Sequence, residues 1–252
     1  MKTIELKDLD TTNTLYHFTN KNNIEKIEKL GLIPMIGNNS KGIERTKKVF
    51  FSKGNIGFLR ICDVWINWII YSESMKEYIN KRINEENNYR KLLDEYKELF
   101  KTGIFHTKEN INSSFEQMSE FMSQNIVLSL DLEEDKHYKK DDLDEAKERA
   151  NDQEFITKMY CGYVSSNRNV EEFNMHTISD INIPKEQISL VIENDNINAL
   201  NILKSIYELE KEKDKNLKFK FLDDFMKYLE ILESINLKRR WKIWKDNLQN
   251  KN

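Results

Sequence analysis

Residues 15–52 read LYHFTNKNNIEKIEKLGLIPMIGNNSKGIERTKKVFFS, and they carry the most informative local signals in the chain. A short apolar and aromatic strand is predicted at the start of this stretch, and it contains one polar ring, His17. A second strand is predicted at residues 49–52, ending in Ser52. The loop before it is rich in glycine, asparagine and serine over residues 37–42. Such residues favour a loop whose backbone a ligand can approach closely.

A short helix is predicted between the two strands. Asn20 can cap its first turn, because the asparagine side-chain oxygen accepts from amides that lack a partner inside the helix. Ile24, Ile27 and Leu30 recur every three residues, which predicts one apolar stripe. Gly31 is expected to end the helix, since glycine adopts positive φ without steric cost.

Composition limits the classes of protein to consider. The chain has 252 residues, 40 basic and 43 acidic, with a formal net charge of −3. The overall charge therefore gives no argument for a nucleic-acid partner, although a local basic groove is compatible with it. The amino-terminal residues alternate in charge and lack the apolar core of a secretory signal. The most apolar segment, residues 56–71, is interrupted by charges and falls short of a membrane span, so we expect a cytoplasmic protein.

The rest of the chain predicts a mixture of helices and strands. Five of the seven glycines lie at residues 31–57. The long stretches elsewhere contain few glycines or prolines, which favours helices. Helices are expected at 56–80, 81–101, 110–123, 196–211 and 215–250, and strands at 125–132, 158–165, 172–177 and 188–192. This order predicts an α+β fold with a mixed sheet. We expect one domain over residues 1–195, with a helical insertion at about 56–123, and a helical carboxy-terminal appendage at 196–252.

The ordered set of a His-bearing strand, a helix ending in Gly31-Leu32, and a strand ending in VFFS resembles the ADP-ribosyltransferase-like superfamily. This is the NAD-binding fold shared by diphtheria-type toxins, poly-ADP-ribose polymerases and bacterial nucleic-acid-modifying transferases. The resemblance is strong over about 40 residues and weak over half the chain. It implies a split β-sheet and transfer of ADP-ribose from NAD, as co-substrate, to a macromolecular acceptor with release of nicotinamide. The enzyme would belong to the glycosyltransferases.

The resemblance also implies a cofactor site. His17 would hydrogen-bond the ribose on the nicotinamide side of NAD, and Thr19 would add a second hydrogen bond. The loop with Asn39 and Ser40 would lie over the cofactor. Ser52 ends the second strand, but the aromatic residues before it leave open which branch of the family the chain follows and which ring stacks on nicotinamide.

The catalytic carboxylate is expected on a late strand, within the stretch NVEEFNMHT. We favour Glu172 over Glu171, because strand alternation places Glu172, Asn174 and His176 on one face. In the resembling family this carboxylate binds a ribose hydroxyl and stabilises the positive charge of the transition state. The four histidines show no paired ligand spacing, so we expect no metal.

Two other hypotheses remain at this stage. One is a non-catalytic interaction protein on the same scaffold, which would bind a partner through the apolar stripe at 222–232. The other is a transferase directed at nucleic acid, in which the basic and aromatic segment KRRWKIWK at 238–245 contacts phosphates and bases. The acceptor, protein or nucleic acid, and the oligomeric state are left open.

Overall fold

The computed structural model describes residues 1–35, 47–86, 88–141 and 176–249. Within these ranges the fold is mixed α+β, as the sequence predicts. The strands are β1 (Lys2–Glu5), β2 (Leu15–Asn20), β3 (Val49–Lys53), β4 (Asn125–Leu130), β5 (Lys139–Asp141), β6 (His176–Ser179) and β7 (Ile188–Ile192). The helices are α1 (Ile24–Leu30), α2 (Gly54–Arg82), α3 (Tyr89–Lys101), α4 (Lys108–Gln124), α5 (Ala199–Lys213) and α6 (Leu222–Gln249).

The described strands form one sheet in the order β1-β7-β4-β2-β3-β6-β5. β1 runs parallel to β7, and the other neighbouring strands are antiparallel. β2 is central, and all six of its residues pair with β4, from Leu15 with Leu130 to Asn20 with Asn125. The strand that the sequence analysis singled out is therefore anchored along its whole length on one side.

Each face of the sheet packs against its own core because strand side chains alternate between faces. The helix-side core takes Tyr16 and Val127 from the sheet and apolar residues from α2, α4, α5 and α6. The second core takes Leu15, Phe51 and Leu128 and is covered by α1 and its neighbouring loops. His17 alternates with Tyr16 and so lies on the face of the second core.

The helix-side core takes residues from both sides of the boundary expected at residue 195, including residues of the carboxy-terminal helices α5 and α6. Their buried residues in the helix-side core are Ala199, Ile202, Leu203, Ile206, Leu222, Phe225, Met226 and Leu229. The stripe expected at 222–232 to meet a partner is thus largely covered by this chain itself, at Leu222, Phe225, Met226 and Leu229.

The local helix signals are confirmed in part. Asn20 caps a 3-10 turn at Lys21–Asn23 that leads into α1, accepting from the Asn22 amide at 2.9 Å. Ile27 is buried, whereas Leu30 is 56% exposed, so the predicted stripe is shorter than expected. Gly31 ends α1 at φ 72°, as predicted.

The prediction of a helix at 81–101 is wrong about where this helix begins. α2 continues to Arg82, and α3 begins only at Tyr89. Asn88 starts α3 because its side-chain oxygen accepts from the Lys91 amide at 3.2 Å. The strand expected at 158–165 lies outside the described residues, as does the first part of the strand expected at 172–177.

Candidate functional site

The sheet opens between β2 and β3, beside His17. The ladder between these strands has two residue pairs, Leu15 with Lys53 and Tyr16 with Ser52. Before Ser52, no residue of β3 is paired with β2, whereas Val49 to Phe51 pair with β6 along the opposite edge of β3. We call the point where the strands part, between Tyr16–His17 on β2 and Phe51–Ser52 on β3, the fork.

The side chain of His17 bridges the fork. Its Nδ1 lies 2.8 Å from the backbone oxygen of Phe50. A carbonyl oxygen only accepts, so Nδ1 must carry the proton and donate it. Nε2 of the neutral ring is then an acceptor, and among the described residues it has no hydrogen-bond partner. The hydrogen bond to Phe50 fixes both the tautomer and the direction of this acceptor.

Burial lowers the pKa of His17 from its ordinary value of 6.5, and the hydrogen bond to Phe50 opposes this in part. The ring is therefore neutral at pH 7, since its protonated form loses hydration on burial. A neutral ring can accept a hydrogen bond from a hydroxyl group at Nε2, which a protonated ring cannot.

This lowered pKa predicts a loss of stability in mild acid. Below the unfolded-state pKa of 6.5, the unfolded chain binds a proton that the folded chain resists, so the free energy of unfolding falls until pH reaches the folded pKa. His106 adds to the same slope, because burial and then the nearby Lys220 lower its pKa. We expect urea midpoints to fall between pH 7 and pH 5.5.

The variant that tests this pH dependence is His17→Asn, whose amide nitrogen can replace Nδ1 as the donor to the Phe50 carbonyl. Its stability should depend less steeply on pH over the same range, with at most about 1.4 kcal/mol per pH unit removed for one proton. An unchanged slope in His17→Asn would show that His17 does not titrate as described. His106→Asn measures the contribution of the second ring.

Thr19 lies two residues after His17 and therefore on the same face of β2. It is half-buried, and its Oγ1 accepts from Asn23 Nδ2 at 3.0 Å. A hydroxyl in this position keeps its own proton free to donate. The structure thus places Thr19 beside His17, as the sequence analysis expects.

Ser52 is not brought together with His17. It pairs with Tyr16 and shares the helix-side face, where a Cβ built on Gly57 of α2 would lie 3.7 Å from Ser52 Cβ. Ser52 is 1% exposed, and its Oγ has no hydrogen-bond partner among the described residues. Alternation along β3, which sequence reasoning did not apply to this residue, places it behind the fork.

The two phenylalanines before Ser52 have different environments. Phe51 is buried in the second core and packs edge-on against Tyr138, with ring centroids 5.4 Å apart. Phe50 is half-buried, and its backbone oxygen is the group that holds His17. Alternation places the Phe50 ring on the face of Ser52, so only its backbone oxygen meets His17.

The remaining expected site residues lie outside the described part of the chain. These are Asn39 and Ser40 of the loop, and Glu172 with its alternative Glu171. The described part of the expected late strand is β6, which begins at His176 and pairs with the edge of β3 that faces away from β2.

Sequence reasoning missed the polar groups that hold the fork from behind. Tyr16 donates its hydroxyl to Asn55 Oδ1 at 2.8 Å, and Asn55 Nδ2 donates to Glu210 Oε1 at 2.8 Å. Tyr16 is 1% exposed, Asn55 1% and Glu210 8%. Burial, opposed by a hydrogen bond from Thr14 and reinforced by Glu210, raises the pKa of Tyr16 and keeps its hydroxyl protonated. No local sequence signal links residues so far apart in the chain.

No family model matches the chain, and neither a curated protein nor a solved structure matches it. In the described ranges, no three His, Cys, Asp or Glu side chains gather as a metal site. No described helix is both long and apolar enough to cross a membrane.

Proposed function

We propose that this chain is an ADP-ribosyltransferase-type enzyme that cleaves NAD at the nicotinamide bond and transfers ADP-ribose to a macromolecular acceptor. The observation that supports the proposal is the fork at His17. Where the ladder ends, a half-buried, neutral histidine has a ring acceptor without a partner among the described residues, and a sugar hydroxyl could donate to it. The split-sheet architecture of the family is part of this proposal.

His17 and Thr19 would hold the nicotinamide ribose from β2. His17 Nε2 accepts from one ribose hydroxyl, while its Nδ1 stays bonded to Phe50 and keeps the ring from turning. Thr19 donates its hydroxyl proton to a second ribose oxygen. We assign neither phenylalanine of β3 to the nicotinamide, because Phe51 is buried in the second core and Phe50 alternates onto the face of Ser52. Ser52 supports β3 from behind.

The carboxylate of Glu172 would supply the transition-state stabilisation. As the bond between the ribose carbon and the nicotinamide nitrogen breaks, its electron pair leaves with nicotinamide and the ribose becomes positively charged. A carboxylate hydrogen-bonded to a ribose hydroxyl stabilises this charge more than it stabilises bound NAD. A nucleophilic oxygen or nitrogen of the acceptor then bonds to the same carbon and releases its proton.

NAD binding by the full chain tests the role of His17. We expect His17→Ala and His17→Asn both to weaken binding about tenfold in calorimetry, because each loses one hydrogen bond to the ligand. His17→Asn keeps a donor for the Phe50 carbonyl, so its weaker binding cannot be attributed to loss of that bond. Ser52→Ala is the control on the opposite face and should bind NAD like the wild type.

Nicotinamide release tests the catalytic carboxylate in the same preparation. Glu172→Gln should lower release about 10²- to 10³-fold with little change in NAD affinity, as expected for a group that acts in the transition state. Glu171→Gln is the matched neighbour and should retain activity. A wild-type chain that neither binds NAD nor releases nicotinamide, with or without added protein or nucleic acid, would refute the proposal.

The alternative of partner binding through 222–232 has little surface left to act on. Leu222, Phe225 and Leu229 are buried in the helix-side core. The segment 238–245 continues as part of α6, and its basic character favours a nucleic acid among the acceptors. Nicotinamide release with single-stranded DNA, RNA and protein mixtures compared at several salt concentrations separates these acceptors.

A further inference from the structure

A chain of buried hydrogen bonds joins α5 to β2 and to the first turn of α2, which directly follows β3. Its members are Tyr16 on β2, Asn55 in the first turn of α2 and Glu210 on α5. Glu210 also accepts from Lys213 Nζ at 2.8 Å, and Lys213 donates to Thr11 Oγ1 at 3.2 Å. The cationic group at the surface balances the buried carboxylate.

The direction of the hydrogen bonds makes the chain depend on Glu210. Asn55 accepts from the Tyr16 hydroxyl through its oxygen and donates to the carboxylate through its nitrogen. Glu210 provides only acceptors when ionised, so it holds the asparagine amide in this orientation. Without that acceptor the amide is free to turn, and the oxygen that holds Tyr16 is no longer fixed.

Two members of the hydrogen-bond chain, Tyr16 and Asn55, lie at or close to the last residue pair before the strands part. Tyr16 is one residue before His17 and pairs with Ser52, while Asn55 follows Ser52 by three residues. Backbone bonds close the same corner: the Gly54 amide donates to Thr14 O and the Asn55 amide to Thr11 O, each at 2.8 Å. The hydrogen-bond chain therefore fixes the point from which His17 and Phe50 diverge.

We propose that Glu210 is a positioning residue that acts through Asn55 and Tyr16 to keep the fork closed at its base, so that His17 Nδ1 reaches the Phe50 carbonyl. A role of Glu210 in catalysis rests on the proposed function, but its effect on the His17 ring does not. The carboxy-terminal helix α5 thereby sets the geometry of a site built from the amino-terminal strands.

The test reads the His17 ring directly, by ¹⁵N NMR of the full chain at pH 7.5. In the wild type the protonated Nδ1 and the unprotonated Nε2 should give two widely separated nitrogen shifts. Glu210→Ala should move these two shifts toward each other, because the fixed tautomer gives way to a mixture. Glu210→Gln should preserve the wild-type shifts, since its amide oxygen can still accept from Asn55.

Two further variants distinguish positioning from general destabilisation. Ile206→Ala removes a fully buried side chain one helical turn before Glu210, and should lower stability without changing the His17 shifts. Tyr16→Phe removes only the hydroxyl at the other end of the chain, and should reproduce the effect of Glu210→Ala. Tyr16→Phe decides the question if Glu210→Ala does not fold.

Wild-type His17 shifts in both Glu210→Ala and Tyr16→Phe would overturn the proposal, as would an equal change in Ile206→Ala. Amide exchange at Gly54 and Asn55 gives a second measurement, and should accelerate about tenfold in Glu210→Ala as the corner loosens. Because neither measurement uses NAD, the outcome is independent of the proposed enzyme activity. If the chain cleaves NAD, Glu210→Ala should raise KM more than it lowers kcat.

Discussion

Replacing Gly31 with alanine should destabilise the folded chain by about 4 kcal/mol, the largest effect we expect from a single methyl group. A Cβ at this position would lie 2.1 Å from the backbone oxygen of Ile183. The backbone there has φ 72° and ψ −165°, a conformation that side chains disfavour. Steric overlap and backbone strain therefore add.

The neighbouring backbone cannot easily yield to this methyl group. Leu32 and Ile183 exchange two hydrogen bonds, each 2.9 Å long, next to the glycine. Moving Ile183 away would break this pair and disturb the loop that leads into β7. The Ile183 side chain is itself fully buried in the second core, so the movement would also open that core.

Gly57→Ala is the matched control for Gly31→Ala. Gly57 lies inside α2, and a Cβ there would meet only Ser52 Cβ, at the ordinary contact distance of 3.7 Å. Alanine is a better helix former than glycine, so we expect a change between zero and about 1 kcal/mol of stabilisation. Urea unfolding at pH 7 measures both. Equal free energies of unfolding in the two variants would contradict the steric account of Gly31.

Asp63→Ala should lower the free energy of unfolding by about 3–4 kcal/mol. Asp63 lies in the middle of α2, is 1% exposed, and accepts from the amides that begin α6. The distances are 2.7 Å to the amides of Phe221 and Leu222 and 3.3 Å to that of Lys220. A carboxylate in this place satisfies amides that have no partner within their own helix and opposes the positive end of its dipole.

The substitution leaves buried amides without acceptors, which costs more than the loss of an exposed bond. Asp63→Asn should fall between the wild type and Asp63→Ala, because the amide retains one acceptor oxygen. Asp224→Ala is the control, because Asp224 lies in the first turn of α6, the helix start that Asp63 caps. Its carboxylate is exposed and pairs only with Lys227, so we expect a loss of less than about 1 kcal/mol. Comparable losses in Asp63→Ala and Asp224→Ala would show that the buried cap is unimportant.

Asp63 also illustrates where sequence reasoning ends. In the sequence it is one acidic residue that interrupts an apolar segment, which argues only against a membrane span. The structure shows that α6 begins where it does partly because this side chain meets it. The partner lies 158 residues away along the chain, and no periodicity or capping signal at 215–222 indicates it.

The same limit applies to the predicted site. His17 and Thr19 were expected at the site only from the resemblance, and the structure shows that they share one face of β2. The prediction for Ser52 rested on its position at the end of a strand. The face of the sheet that Ser52 occupies is decided by its pairing with Tyr16, which that prediction did not include. The Phe50 carbonyl becomes the partner of His17 because the ladder between β2 and β3 ends after two residue pairs, which no local sequence signal indicates.

The sequence by itself determined the features that depend on neighbouring residues: the positive φ at Gly31, the cap at Asn20, the course of α2 and α4, and the mixed α+β character. These follow from backbone sterics and from hydrogen bonds that span a few residues. Only the tertiary structure decided that the carboxy-terminal helices share the core of the sheet, and that Glu210 and Asn55 support the fork. Such contacts join distant residues whose meeting depends on the packing of the whole chain, and local preferences do not encode it.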